Sequence, residues 1–328
     1  GFLAAIQKLD FLVDVDLFAT DTFKYADIVL PACTSVERSE LRCYPQKYII
    51  YSQPVIEPQG ESRSDTDIIF ALANRLGIDD PLLNPAGADD GALPQGPGRG
   101  FLPNGAPDFS RTFEDVLDWI LEPSGMKVAQ IKEHPAGMFV PDPLPVTFKK
   151  YEQNGFPTPS GKMEFVSSLL EKHAGREGIE GLPVYREPVY SPRSTPEETE
   201  DHPFILGTGT RLPMFVHSRT FRLPWTRSLR PLAAVDINPA DAQRLGIAQG
   251  DRVELSTARG AIEVSANVTD LAHRGAVHMY HDYPEADINT LIPGDYLDPV
   301  SGFPGFKALL CQVKKVAPGS AGAGEVTS

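Results

Sequence analysis

The stretch Asp251–Val268 leaves the chain little choice of local fold. Arg252–Thr257 and Ala261–Val268 alternate apolar and polar residues on either side of Ala258-Arg259-Gly260. A period of two about a glycine-bearing turn is the pattern of a β-hairpin. Upstream, Asn238-Pro239 offers an N-cap with proline at the first helical position. Asp241 suits the helix dipole and Gly246 stops the helix. Phe204–Leu206 and Ala276–Tyr280 read as further strands, and short strands around one small helix suggest a barrel.

Phe204–Leu206 runs directly into Gly-Thr-Gly-Thr, so backbone N–H groups and the hydroxyls of Thr208 and Thr210 are presented where an anion can lie. Arg211 follows at once, and its planar guanidinium suits bidentate contact with phosphate. His217 and Ser218 offer more hydrogen-bonding groups shortly after. The same residues also make an ordinary strand-to-loop corner.

The first half has a different pattern. Phe11–Val15 reads as a buried parallel strand, ending in a loop that carries Thr20, Asp21 and Thr22, and Asp27–Leu30 is a second strand closed by Pro31. Polar residues past strand ends are where open α/β sheets bind ligands. Glu37-Arg38-Ser39-Glu40 is a charged loop or simply a solvated connection. Ser64 and Asp67 have capping-box spacing before a helix in which Ile68, Ile69, Leu72 and Leu76 repeat at helical spacing and which ends at Gly77. Thr112 caps another helix, with Val116, Trp119 and Ile120 on its buried face. Strand and capped helix in alternation predict an α/β layer. Pro, Gly, Ala and Asp dominate 79–110, a long excursion loop. Thr158–Lys162 turns into a strand at Met163–Val166, and Ser167 caps a short helix. Tyr185–Asp201 is acidic and proline-rich without periodicity, and reads as a linker.

A formal charge of −14 over 328 residues argues against nucleic acid or an anionic membrane surface as the main partner. Any phosphate-bearing ligand must therefore be held by local cations. No apolar run is long enough to cross a bilayer. Cys33, Cys43 and Cys311 are too scattered for a disulfide framework or a metal site, and read as buried small residues. His278 and His281 would point to opposite faces of a strand, so no metal site is expected.

HPFILGTGTR, VDINPADAQRLGIAQGDRVELSTARGAIEVSANVT, GAVHMYHDY and ADINTLIPGDYLDPVSGFPGFK follow one another between Pro203 and Lys307, and in that order they resemble the C-terminal domain of the molybdopterin oxidoreductases, the dimethyl sulfoxide reductase family. FLVDVDLFATDTFKYADIVLPACTSVERSE, SRSDTDIIFALANRLGI and TPSGKMEF resemble the preceding domain and its link. The resemblance implies an α/β domain with a partial, open, mostly parallel sheet at 1–184, a linker at 185–202, a closed six-stranded double-psi barrel at 203–316 and a disordered tail at 317–328. It also implies two molybdopterin guanine dinucleotides holding molybdenum or tungsten, with the barrel's grip on Thr208, Gly209, Arg211, His217, Ser218, Asn289 and Lys307. Alone, Asn289 is a turn former and Lys307 a surface lysine. Thr20, Asp21, Thr22 and Glu37 match the first domain's cofactor loops. After Glu37 the run SELRCYPQKYII departs from the family's glycine and arginine pattern.

The activity implied is oxygen-atom, hydride or hydroxyl transfer on a small substrate by a catalytic subunit of the kind used in anaerobic respiration, in partnership with an iron–sulfur subunit. The [4Fe–4S] segment and the metal's protein ligand are expected before Gly1, so the 328 residues by themselves are expected to be metal-free and inactive. The alternative is a cofactor-less scaffold or electron-relay subunit of the same fold.

Overall fold

The computed structural model describes residues 2–317 apart from 46, 77–112, 141–146, 174, 177 and 178. The excursion expected at 79–110, the Thr112 cap, the Gly77 stop and residues 318–328 of the expected tail lie outside the described residues. The chain forms two compact units, Gly1–Phe148 and Lys149–Ser328.

In the first unit, helix α1 (Phe2–Ile6) precedes strands β1 (Val13–Asp16) and β2 (Ile28–Pro31), which pair in parallel with Val13 opposite Ile28. Among the described residues this pair is the unit's parallel sheet. The run after Glu37 folds as an antiparallel hairpin, β3 (Glu40–Tyr44) and β4 (Tyr48–Ser52), extended by β5 (Met138–Phe139). Helix α2 (Asp65–Leu76) starts as its cap predicts: the Ser64 hydroxyl accepts from the Asp67 N–H at 3.1 Å and donates to the Asp67 carboxylate at 2.7 Å. Ile49 and Tyr51 pack with α3 (Phe113–Leu121) and α4 (Val128–Lys132) in a small core that includes Leu117, Leu121 and Ile131.

Among the described side chains, which leave out the expected Trp119, α3 packs through buried Leu117 and Leu121 and partly buried Phe113, a four-residue repeat down one face, and Ile120 is exposed. Strand β1 begins at Val13 rather than Phe11, and Val13, Ile28 and Val29 are exposed because two strands cannot cover a face. The α2 residues Ile69, Leu72 and Leu76 are likewise exposed. Cys33 and Cys311 are buried as expected, but Cys43 on the hairpin is not.

The second unit begins with α5 (Lys150–Asn154) and α6 (Ser168–Glu171), the latter capped by Ser167, which accepts from the Leu170 N–H at 3.3 Å. Met163–Val166 is not a strand. The Glu164 carboxylate accepts from the Ser168 hydroxyl at 3.0 Å and the Ser160 N–H at 3.2 Å, which folds the segment back as a turn. The expected linker also has structure: α7 (Pro196–Asp201) packs on the final strand, and the Arg259 guanidinium donates to the Tyr190 hydroxyl at 3.1 Å.

Strands β6 (Phe204–Gly207), β7 (Ala234–Ile237), β8 (Arg252–Thr257), β9 (Gly260–Val268), β10 (Ala276–Met279) and β11 (Leu309–Lys315) close into a six-stranded barrel of order β10-β6-β11-β8-β9-β7. β6 and β10 pair in parallel, as do β7 and β9, and the other neighbours are antiparallel. Phe204, Leu206, Val235, Ile237, Val253, Leu255 and Met279 fill the interior. Helix α8 (Pro224–Arg227) follows β6, and α9 (Pro239–Leu245) leads from β7 to β8. The Asn238 side chain caps α9 by accepting from the Ala240 N–H at 3.0 Å, and Gly246 ends it in the left-handed region at φ 66°.

Candidate functional site

Strand polarity gathers the candidate residues. β6, β8 and β10 run one way and β7, β9 and β11 the other, so the connections 208–233, 258–259 and 280–308 all emerge at one rim. Thr208, Gly209, Arg211, His217, Ser218, Asn289 and Lys307 all lie in those connections. Helix α9 and the 269–275 connection lie at the opposite end.

Thr208 and Gly209 anchor the rim. Thr208 is buried, donating its hydroxyl to the Met279 carbonyl at 2.8 Å and its N–H to the Phe306 carbonyl at 2.9 Å. Its side chain is therefore taken up in tying the 208–233 connection to the end of β10. Gly209 sits at φ +80°, and a Cβ there would lie 2.2 Å from the Phe306 ring, so both backbone angle and space require glycine. No described residue accepts from the N–H groups of Gly209, Thr210 or Arg211. These donors stand open beside the Arg211 guanidinium.

Beyond Arg211 the chain doubles back. Pro213–Phe215 makes a 3-10 turn, Phe215 is fully buried, and the Thr220 hydroxyl donates to the Met214 carbonyl at 2.6 Å. Val216 and His217 both adopt the left-handed region, at φ 46° and 59°, which costs on the order of 1–3 kcal/mol each for non-glycine residues. The result returns His217 to Arg211, with His217 Nε2 2.6 Å from an Arg211 Nη. On its other side, His217 Nδ1 lies 3.3 Å from His281 Nε2, and that nitrogen is 3.2 Å from the Asp282 carboxylate. Burial pushes Asp282 above the ordinary aspartate range, and the neighbouring His281 and then His217 oppose it.

One connection of the rim, 208–233, is cationic in an acidic chain. From Pro203 to Val235 there is no Asp or Glu, while Arg211, Arg219, Arg222, Arg227 and Arg230 all occur there. Arg227 pairs with Glu285 and Arg230 with Asp236 at 3.2 Å. No described carboxylate pairs with Arg211, Arg219 or Lys307, and all three are exposed. Asn289 is exposed and donates its side-chain amide to Asp287 at 2.8 Å, and Ser218 is exposed. Asp282 and the additional arginines escape a reading of the sequence, which weighs His281 only as a metal ligand. His281 meets His217 across 64 positions, but the acid-free run itself is a visible signal.

The first unit's candidates occupy the loops after β1 and β2. The Thr20 hydroxyl donates to Asp14 at 3.3 Å, and Asp21 pairs with Lys24 at 2.8 Å in the 3-10 turn Asp21–Lys24 that contains Thr22. Glu37 is buried, its two oxygens accepting from the Thr34 and Gln59 N–H groups at 2.7 Å each. Hydrogen bonding from Thr34, then from the Gln59 amide, holds its carboxyl below the usual range. Glu37 closes its own loop.

Residues 204–310 match the molydopterin dinucleotide binding domain, and residues 2–75 match molybdopterin oxidoreductase. The chain thus belongs to the molybdopterin oxidoreductase family. It is 30% identical over 303 residues to the dimethyl sulfoxide/trimethylamine N-oxide reductase of Cereibacter sphaeroides, covering 85% of this chain and 33% of that one. It is 25% identical to the dopamine dehydroxylase of Eggerthella lenta over 96% of this chain and 36% of that one. The solved acetylene hydratase from Pelobacter acetylenicus superposes with a TM-score of 0.75 at 25% identity, covering 96% of this chain and 41% of that one. The chain thus spans about a third of the length of these two curated relatives.

Proposed function

We propose that this chain is a C-terminal portion of the catalytic subunit of a molybdenum or tungsten bis-pterin oxidoreductase, and that its barrel rim holds the pyrophosphate and guanosine arm of one molybdopterin guanine dinucleotide. The observation that carries the reading is the convergence, in a chain of net charge −14, of an acid-free arginine-rich segment, open backbone donors and Lys307 on one rim. The donor set fits the group: N–H groups at Gly209–Arg211 and the Arg211 fork suit phosphate oxygens, while Asn289 suits the edge of a planar base. When bound, the metal and its pterins supply electron and atom transfer on a small substrate. The protein's part is grip and orientation. A double-psi barrel at 203–316 and an iron–sulfur partner subunit belong to the same reading.

Guanosine diphosphate, the nucleotide half of such a dinucleotide, tests it. Losing a charge-assisted contact costs about 1.5–3 kcal/mol, so Arg211→Ala or Lys307→Ala should weaken binding of guanosine diphosphate to the chain by roughly tenfold or more, with the melting temperature unchanged. A variant that binds normally but melts clearly lower removes that residue from the site. In the intact subunit the same substitutions should lower cofactor content.

A further inference from the structure

The contact between Arg211 and His217 constrains where the protons of this rim reside. Guanidinium only donates, so the His217 Nε2 at 2.6 Å is an acceptor and the ring is neutral, with its proton on Nδ1. That proton points to His281 Nε2 at 3.3 Å. The Asp282 carboxylate oxygen faces the same nitrogen at 3.2 Å, and two acceptors meet there unless a proton sits between them. Both His281 Nδ1 and the second Asp282 oxygen are buried without a hydrogen-bond partner among the described residues. The Asp282 side chain is only 2% exposed and its backbone is left-handed at φ 83°. Burial favouring the acid form of Asp282 fits this arrangement. The guanidinium thus keeps a second proton off His217. The charged groups next along the rim, Arg227, Arg230 and Glu285, gather around buried Tyr283 and are engaged with one another or with the strands.

We propose that an anionic phosphate ligand enters this rim together with a proton: Arg211 moves from His217 to the anion, and the freed His217 Nε2 takes a proton from solvent, becoming a second cation for the same ligand. The proposal rests on the dinucleotide reading above and adds its pH dependence. A guanidinium bonded to an imidazole nitrogen disfavours a second proton on the ring and a phosphate beside it favours one, so the bound state holds a proton that the free state lacks. Affinity therefore falls as pH rises, by up to about tenfold per pH unit.

Titration calorimetry of the 328-residue chain with guanosine diphosphate, at one pH in two buffers of different ionisation heat, reads the proton directly. Uptake of up to about one proton per nucleotide is expected. It should disappear in His217→Asn, where asparagine tolerates the left-handed backbone, and persist in His281→Gln, which leaves the Arg211–His217 contact in place. Should His217→Asn fold poorly, the wild-type His217 ring followed by NMR must show a raised pKa once nucleotide is bound. Binding without proton uptake, uptake unchanged in His217→Asn, or a His217 pKa that does not rise overturns this proposal and leaves the dinucleotide reading standing. No binding at all overturns both.

Discussion

In the barrel, Phe204, Leu206, Val235, Ile237, Val253 and Leu255 are at most 1% exposed, whereas Val13, Ile28 and Val29 of the β1–β2 pair are 38–45% exposed. Both regions are short strands rich in β-branched residues, and their local patterns differ little. The difference lies in closure. Six strands joined into a ring have no free edge, and each inward face is covered by the others, whereas two paired strands leave both faces open. Burial here follows from the number of neighbours rather than from hydrophobicity.

The largest test of that contrast is Phe204→Ala against Ile28→Ala. Removing a fully buried phenylalanine costs about 3–5 kcal/mol, whereas trimming a half-exposed isoleucine should cost no more than about 1 kcal/mol. Comparable losses of urea resistance in the two variants would contradict the contrast. Next comes Gly209→Ala, which puts a Cβ into the Phe306 ring and an alanine at φ +80°, for an expected loss of about 1–3 kcal/mol. A neutral result would mean that the rim is loosely held. Asn238→Ala removes the cap of α9 at the barrel's far end and should cost about 1 kcal/mol in thermal or chemical denaturation while leaving nucleotide binding unchanged.

The smallest effect belongs to the first unit, which holds its loop with a carboxylate. Glu37 has a lowered pKa in the folded chain, so its stabilisation is fully present above the ordinary glutamate value of about 4.3 and is lost as pH falls through the lower folded value. Urea midpoints of wild type and Glu37→Gln should converge on acidification. A gap that stays constant from neutral pH into that range would show that the carboxylate's charge plays no part.

Local signals in the sequence are the ones that survive in the structure. Asn238-Pro239 through Gly246 forms the predicted helix, and the hairpin about Ala258–Gly260 pairs as its alternation requires, because cap, proline and turn act within a few residues. β7 and β11 go unread: AVDI is too short for its period to show, and LLCQVKK only partly alternates and gains its strand character from β6 and β8 on either side. Met163–Val166 looks extended until Glu164 turns back onto Ser160 and Ser168. In the candidate site, Arg211, His217 and Lys307 are legible from the turn chemistry and the family resemblance. The partnership with His281 and Asp282 is not, since it arises from strands β6 and β10 lying side by side.

The most direct measurement is a crystal structure of the 328-residue chain with guanosine diphosphate. The diphosphate should lie at the rim, bonded to Arg211 and to the N–H groups of Gly209–Arg211, with the guanine near Asn289 and the Arg211–His217 contact broken. A diphosphate bound elsewhere, such as beside α9 at the opposite end of the barrel, or bound at the rim with Arg211 still on His217 and turned from the phosphate, would contradict it.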